Sequence, residues 1–259
     1  MQWLRTKTYF NRYIYVCRED EGVSDAILKV GRWEPRVAAF LMANMSTNGV
    51  FLDVGANVGY FSVMIADILE RVSLNGTGRV IAVEANPLVT PYLMATVIEN
   101  GLDHRIQVCP YAVSDKTGLV QINRDFGNNL GGTTIREIDK SGAECSIVPC
   151  ARLDDILAGV SRIDLVKMDI EGSELLAMKG FERTVAKFSP DIIMELNKDC
   201  LRGVSGVSVE EMVRYMQSLG YKPYSFGSDG ASLMSVRDVV NTVDSHNYYD
   251  FLFSKKERP

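Results

Sequence analysis

The stretch IDLVKMDIEGSEL at 163–175 ends a predicted strand in Asp169, with Lys167 two residues earlier on the same face and Glu171 just beyond. A second apolar run, PDIIMELN at 190–197, carries Glu195 to a similar strand end. In open α/β sheets ligands bind outside these carboxyl ends. Asp169, Glu171 and Glu195 could there orient a hydroxyl, accept its proton or, with Asn197, bind Mg²⁺. Plainer readings stand beside these: Lys167 neutralising Asp169 or Glu171, and EGSE capping the following helix. His246 in VDSHNYYDFLF precedes the last predicted strand and could reach the same place as a base. In its polar loop it equally reads as solvated.

A second group lies in FLDVGANVGYFS at 51–62. Glycines between a buried strand and a helix let backbone N–H groups approach a ligand, and the helix N-terminus adds positive potential. The dinucleotide pattern Gly-x-Gly-x-x-Gly would fall on Gly55, Asn57 and Tyr60, so two of its glycines fail. The pattern present is Asp53, Gly55, Asn57 and Gly59 at alternate positions, with Asp53 suited to accept hydrogen bonds from a bound ammonium. In VIAVEANP at 80–87, Glu84 ends the next predicted strand, where a carboxylate can accept both protons of a ribose diol. That fits NAD or an adenosyl ligand; the alternative is an acid at a helix N-terminus before Pro87.

These residues need a sheet to position them. Short β-rich apolar runs alternate with longer amphipathic stretches from residue 50 onward, the pattern of a doubly wound parallel sheet with crossover helices. Strands are predicted at 50–54, 79–84, 105–109, 163–169, 191–196, 222–226 and 249–254. Helices are predicted at 60–71, 87–100, 173–179 and 208–219, the last opened by the capping box SVEE. Residues 112–138 break the alternation and read as an inserted antiparallel hairpin followed by the Gly/Asn-rich loop FGNNLGGTTI, a candidate lid facing a substrate. The first 45 residues read as an N-terminal cap of one short β segment and one helix from Glu34, leaving 46–259 as the main domain.

Composition narrows the function classes. With 259 residues and 46% hydrophobic content the chain can bury a large core, and a formal net charge of −5 argues against nucleic acid as partner. Five scattered cysteines and two histidines suit reduced thiols and exclude a His-rich zinc site. Charges interrupt the first twenty residues, unlike a signal peptide, and no uncharged apolar run reaches the length of a membrane span. A soluble cytoplasmic protein acting on a small molecule is expected. Its oligomeric state is left open, a homodimer included.

In this order, FLDVGANVGYFS, VIAVEANP, AVSDKTG, RLDDIL and IDLVKMDIEGSELLAMKGF resemble the FkbM family of S-adenosylmethionine-dependent methyltransferases, and GRWEP at 31–35 resembles the segment before that family's first strand. The resemblance implies a Rossmann-like class I methyltransferase sheet of seven strands, the last antiparallel, with Asp169 and Glu195 ending neighbouring strands. It further implies that Asp53, Gly55, Asn57 and Gly59, with Tyr60 and Phe61, hold the methionyl part of the cofactor. Glu84, with Ala85 and Asn86, would take the ribose, and Ala112, Val113 and Ser114 would flank the adenine. Glu34 would close the site from the cap. The acceptor is then a small metabolite, natural product or glycan, methylated on oxygen, with Mg²⁺ an unfavoured option. An NAD(P)-dependent oxidoreductase and a non-catalytic cofactor-binding protein are the rival readings.

Overall fold

The computed structural model describes residues 1–72, 76–123, 130–136, 145–227 and 230–258. The chain opens with an antiparallel hairpin, β1 (Trp3–Lys7) and β2 (Tyr13–Cys17), followed by helices α1 (Val23–Val30) and α2 (Pro35–Asn44). The cap therefore holds two strands and two helices where the sequence suggests one of each. Helix α1 escapes prediction because Gly22 precedes it without a side-chain cap, although Gly31 stops it in the left-handed region.

Strand β3 (Val50–Val54) is buried along its whole length, as a central parallel strand covered on both faces must be. Helix α3 (Tyr60–Val72) returns the chain to β4 (Arg79–Val83), and α4 (Thr90–Glu99) returns it to β5 (Ile106–Cys109). The hairpin docks on these two helices: Trp3 stacks on Tyr92 of α4 with ring centroids 3.6 Å apart, and Arg12 pairs with Asp67 of α3 at 2.6 Å.

A small separate sheet follows, made of β6 (Ala112–Val113), β7 (Gly118–Asn123), β8 (Ile135–Arg136) and β9 (Cys145–Ala151) in the order β6-β9-β7-β8. The hairpin expected inside 112–138 thus closes mainly on a later partner. Strand β7 pairs with β9 from Gly118 opposite Cys150 to Asn123 opposite Cys145. Alternating apolar residues Val120, Ile122, Val148 and Cys150 form its own small core. Of the expected lid loop, 126–129 lie outside the described residues.

After α5 (Leu153–Ile156) the chain enters the middle of the main sheet as β10 (Leu165–Met168), then runs through α6 (Glu174–Lys179) and α7 (Glu182–Phe188) to β11 (Asp191–Asn197). A single turn α8 (Lys198–Cys200), a π turn at Leu201–Ser205 and α9 (Val209–Ser218) lead to the hairpin β12 (Lys222–Gly227) and β13 (Gly230–Leu233). Helix α10 (Val236–His246) precedes the last strand, β14 (Tyr248–Ser254).

The main sheet has the order β13-β12-β14-β11-β10-β3-β4-β5. Strand β14 runs antiparallel to both neighbours, and the core from β11 to β5 is parallel. This is the class I methyltransferase sheet with one added edge strand, β13. Register fixes the chemistry: Lys167 lies opposite Asp53 and Ile193, and Glu195 lies opposite Asp250 of β14. On that face the deeper residues Phe51, Leu165, Ile193 and Leu252 are apolar and pack under α2 and α3. Lys167, Glu195 and Asp250 therefore collect at one end of this face, Asp191 with Lys256 and Arg258 marks the other, and the residues between are apolar. Among the described residues no helix is long and apolar enough to cross a membrane.

Candidate active site

A cavity of about 730 Å³ opens along the carboxyl ends of β3, β4, β10 and β11. One end lies over the glycine loop. Gly55 has φ +83°, and a Cβ there would stand 1.9 Å from the Asp169 carbonyl oxygen, so only glycine lets the loops after β3 and β10 touch. Asn57 adopts φ +49°, a left-handed conformation that Asn tolerates better than most residues. Glu84 binds the two adjoining loops together: one carboxylate oxygen accepts from the Asn57 N–H at 2.8 Å and the other from the Asn86 N–H at 2.7 Å. Burial nevertheless raises its pKa.

The roof over this end comes from the small sheet and its loop. The Asn86 amide donates to Thr133 Oγ1 at 3.1 Å, and the Leu130 N–H donates to Asp20 of the cap at 3.3 Å. Ala85, Ala112, Val113, Ile122 and Ile135 give an apolar slot beside Glu84.

The other end is ionic. Lys167 is buried, with Nζ 2.8 Å from Asp169, 3.7 Å from Glu34 and 5.3 Å from the centre of the Phe61 ring. Burial opposes its charge, but Asp169, Glu34 and Asp250 outweigh this and hold the ammonium well above its usual range. Oxygens of Glu34, Asp169 and Glu195 come within 4.8 Å of one another. Burial, and then the neighbouring acids against the pull of Lys167, push Glu34 up to about 8. Burial, followed by Asp169, pushes Glu195 up to about 10. Glu34 is held at φ +38°, immediately before Pro35, a conformation costly for a side chain of this kind. Glu171, also left-handed at φ +51°, accepts from the Cys200 thiol at 3.3 Å, and burial raises its pKa.

Most residues expected from the sequence line this cavity: Glu34, Gly55, Asn57, Tyr60, Phe61, Glu84, Ala85, Asn86, Ala112, Val113, Asp169, Glu171 and Glu195. Four do not. Asp53, expected to meet a ligand ammonium, lies beneath the loop with Oδ2 accepting from Ser62 of α3 at 2.6 Å, and burial raises its pKa to about 6. Gly59 faces Leu93, whose side chain a Cβ would approach to 2.5 Å. Ser114 is drawn into the small sheet, its N–H donating to the Ala151 carbonyl. His246 is exposed at the end of α10, with Nδ1 2.9 Å from the Thr242 carbonyl, and so is misplaced for a base.

Two further expectations change. Asn197 lines the cavity, yet its side-chain oxygen accepts from the N–H groups of Asp199 and Cys200 as the cap of α8, so it is engaged otherwise than as an Mg²⁺ ligand. Ser173 does not cap α6. Glu174 instead reaches back, Oε1 accepting from the N–H groups of Ile170 and Gly172, and so shapes the turn that carries Glu171. Sequence reasoning missed Arg36 and Asp250 altogether. Arg36 is stacked between Phe226 and Tyr249 at 4.4 and 4.2 Å, donates to the Phe226 and Asp250 carbonyls, and pairs with the Asp250 carboxylate at 3.5 Å. The available signal was an acid inside the aromatic run YYDFLF.

Comparison with known proteins bears on the family and the fold. The family described as Methyltransferase FkbM domain matches residues 53–223. A curated relative, Methyltransferase sdnD of Sordaria araneosa, is 23% identical over 184 residues, covering 60% of this chain and 68% of that protein. The crystal structure of Methyltransferase FkbM from Methylobacillus flagellatus KT superposes with TM-score 0.51 at 18% identity, over 81% of this chain and 44% of the other, so this chain spans less than half of that longer protein. A SAM-dependent O-methyltransferase from Thermotoga maritima aligns over 99% of this chain and 78% of its own at 12% identity, with TM-score 0.47.

Proposed function

This chain belongs to the FkbM family of S-adenosylmethionine-dependent methyltransferases, and on that premise we propose that it methylates a hydroxyl oxygen of a small metabolite, natural product or sugar. The observation that carries the reading is one cavity that joins Glu84 and the glycine loop to Asp169 and its ion pair with Lys167.

The residues suit the cofactor on two counts. The Glu84 oxygens each use one lone pair on a backbone N–H, which leaves capacity for two diol protons. The apolar slot formed by Ala85, Val113, Ile122 and Ile135 suits a flat base. Glu84, Asn57 and Asn86 would hold the ribose, the Gly55 loop the methionyl part, and Ala112 and Val113 the adenine. When bound, S-adenosylmethionine supplies a methyl group on a sulfonium, activated for attack in line.

The chain's own residues then align a hydroxyl and remove its proton. Asp169 is the proton acceptor: it lies at the mouth of β10 next to the glycine loop, and its other function, pairing with Lys167, fixes its orientation. Glu195 and Glu34, pushed up to about 10 and 8, carry protons at neutral pH in the free enzyme and can donate hydrogen bonds to acceptor oxygens. Lys167 already supplies a cation among the acids that Mg²⁺ would require, which favours a metal-independent reaction. The cap, residues 1–45, contributes Trp33, Glu34 and Arg36 to the cavity and works as its cover over the 46–259 methyltransferase domain.

The test is incubation with methyl-labelled S-adenosylmethionine and panels of sugars, polyols and hydroxylated amines, with the position of the label read by mass spectrometry. A methyl ether is the expected product. Methyl on nitrogen or carbon overturns the choice of oxygen, and cofactor binding without transfer to any panel member favours the non-catalytic reading. Hydride transfer from a nicotinamide is disfavoured, because Asn57 and Tyr60 replace the glycines that a dinucleotide loop needs.

A further inference from the structure

The ionic end of the cavity holds more acidic groups than its own cations can pair. Five carboxylates line it, those of Glu34, Asp169, Glu171, Glu195 and Asp250, against Lys167 and Arg36. Both cations are committed: Lys167 to Asp169 at 2.8 Å and Glu34 at 3.7 Å, and Arg36 to two carbonyls and two aromatic rings as well as to Asp250. Glu195 and Asp250 stand directly opposite each other on β11 and β14, where two ionised carboxylates would oppose strand pairing. Asp250 is only 8% exposed, it lines the cavity, and its Oδ1 is buried with no hydrogen-bond partner. Glu34 Oε2 is likewise buried without a hydrogen bond, its one cationic neighbour being Lys167 at 3.7 Å. Buried charges are retained when something pairs with them.

Resting on the methyl-transfer reading, we infer that the acceptor carries a fixed positive charge, most simply an ammonium, beside the hydroxyl that is methylated, and that this charge docks between Glu195, Asp250 and Glu34. Neutral sugar hydroxyls could hydrogen-bond the same oxygens but would leave the excess acids without a cation to pair with. The cofactor's sulfonium supplies a single positive charge, fewer than the excess of three acids over bases. Trp33 and Tyr248 also line the cavity and are aromatic side chains of the kind that favours a cation. Without the acceptor Glu34 and Glu195, pushed up to about 8 and 10, hold protons, and burial shifts Asp250 and Glu171 in the same direction. Docking a cation displaces those protons into solvent. The substrate class is therefore amino sugars and amino alcohols rather than neutral glycans.

The experiment uses the whole chain saturated with S-adenosylhomocysteine, whose own binding is measured first by calorimetry. Two probe pairs set a charged member against a neutral one of nearly the same shape: glucosamine against glucose, and choline against 3,3-dimethylbutan-1-ol. The expected result is that the charged member of at least one pair binds about tenfold or more tightly than its neutral partner, as one desolvated ion pair provides. Asp250→Asn or Glu195→Gln, whichever keeps the wild-type melting transition, should bring that ratio towards one while the S-adenosylhomocysteine affinity holds within about twofold. Equal affinities within both pairs, or no binding by either charged probe at millimolar concentration, overturn the inference. So does Mg²⁺ that displaces a charged probe, since a metal would then hold the assigned position. Failure to bind S-adenosylhomocysteine counts against the methyltransferase reading instead, so the two failures are distinct.

Discussion

The two ends of the cavity are built on different principles. At the glycine-loop end every described carboxylate oxygen of Glu84 meets a backbone N–H, and Asn86 ties the floor to the roof through Thr133. At the acid end Glu195 faces Asp250, Glu34 is held in a left-handed conformation, and buried oxygens of Glu34 and Asp250 lack hydrogen bonds. The first end is organised before any ligand arrives and selects by shape. The second is electrostatically frustrated and selects by charge. A family can keep the first while varying the second, as a shared cofactor and divergent acceptors require.

Changes that erase this division should have the largest effects. Asp169→Asn removes the proton acceptor and should lower kcat by about a hundredfold or more, while the affinity for S-adenosylhomocysteine changes little. Steady-state kinetics alongside calorimetry separates the two, and an unchanged kcat would shift the chemistry to another acid. Gly55→Ala forces a Cβ to 1.9 Å from the Asp169 carbonyl in a left-handed conformation, and should destabilise the protein by about 3 kcal/mol or more, read as a fall in melting temperature.

The frustrated end also gives the free enzyme a pH signature. Glu195 and Glu34 have folded pKa values of about 10 and 8, above the ordinary carboxylate range, so the folded state binds more protons than the unfolded state from about pH 4.5 upward. Their contribution to stability is complete below that pH and is lost as pH rises through 8 towards 10. Melting temperature without ligands should therefore fall between pH 6 and pH 9, because unfolding there releases the protons that the folded state still holds. Glu195→Gln should flatten this dependence. A slope that survives the substitution would assign it to other groups. The smallest effect expected is that of His246→Ala, which should leave turnover within about twofold, because the exposed imidazole at the end of α10 lies outside the cavity and meets its lining through the Tyr249 ring.

What the sequence made legible follows the same division. Period and turn signals located all seven strands of the expected sheet, because central parallel strands such as VFLDV are uninterrupted apolar runs. The capping box SVEE correctly marked α9, with Ser208 and Glu211 bonded reciprocally. Glu84 and the glycine loop stood out because strand end, loop and helix are contiguous in the chain. The acid end is assembled from α2, β10, β11 and β14, so Arg36 and Asp250 are more than 200 residues from each other in sequence and only register unites them. Helix α10 was also missed. It starts with a capping box of Ser235 and Asp238, but a polar sequence around sparse valines gives a weak periodic signal. Asp53 was misread because its position at a strand end is visible in sequence, whereas its burial under α3 is a tertiary fact.

The most direct test of the division is calorimetric titration of S-adenosylhomocysteine into the wild type, Glu84→Ala and Glu195→Gln, each first shown to be folded. Tight binding to the wild type, weakened about tenfold or more by Glu84→Ala and changed less than about twofold by Glu195→Gln, is the predicted result. Wild-type protein that does not bind, or binding that depends on Glu195 and ignores Glu84, would contradict the account by removing the cofactor from the end of the cavity built to receive it.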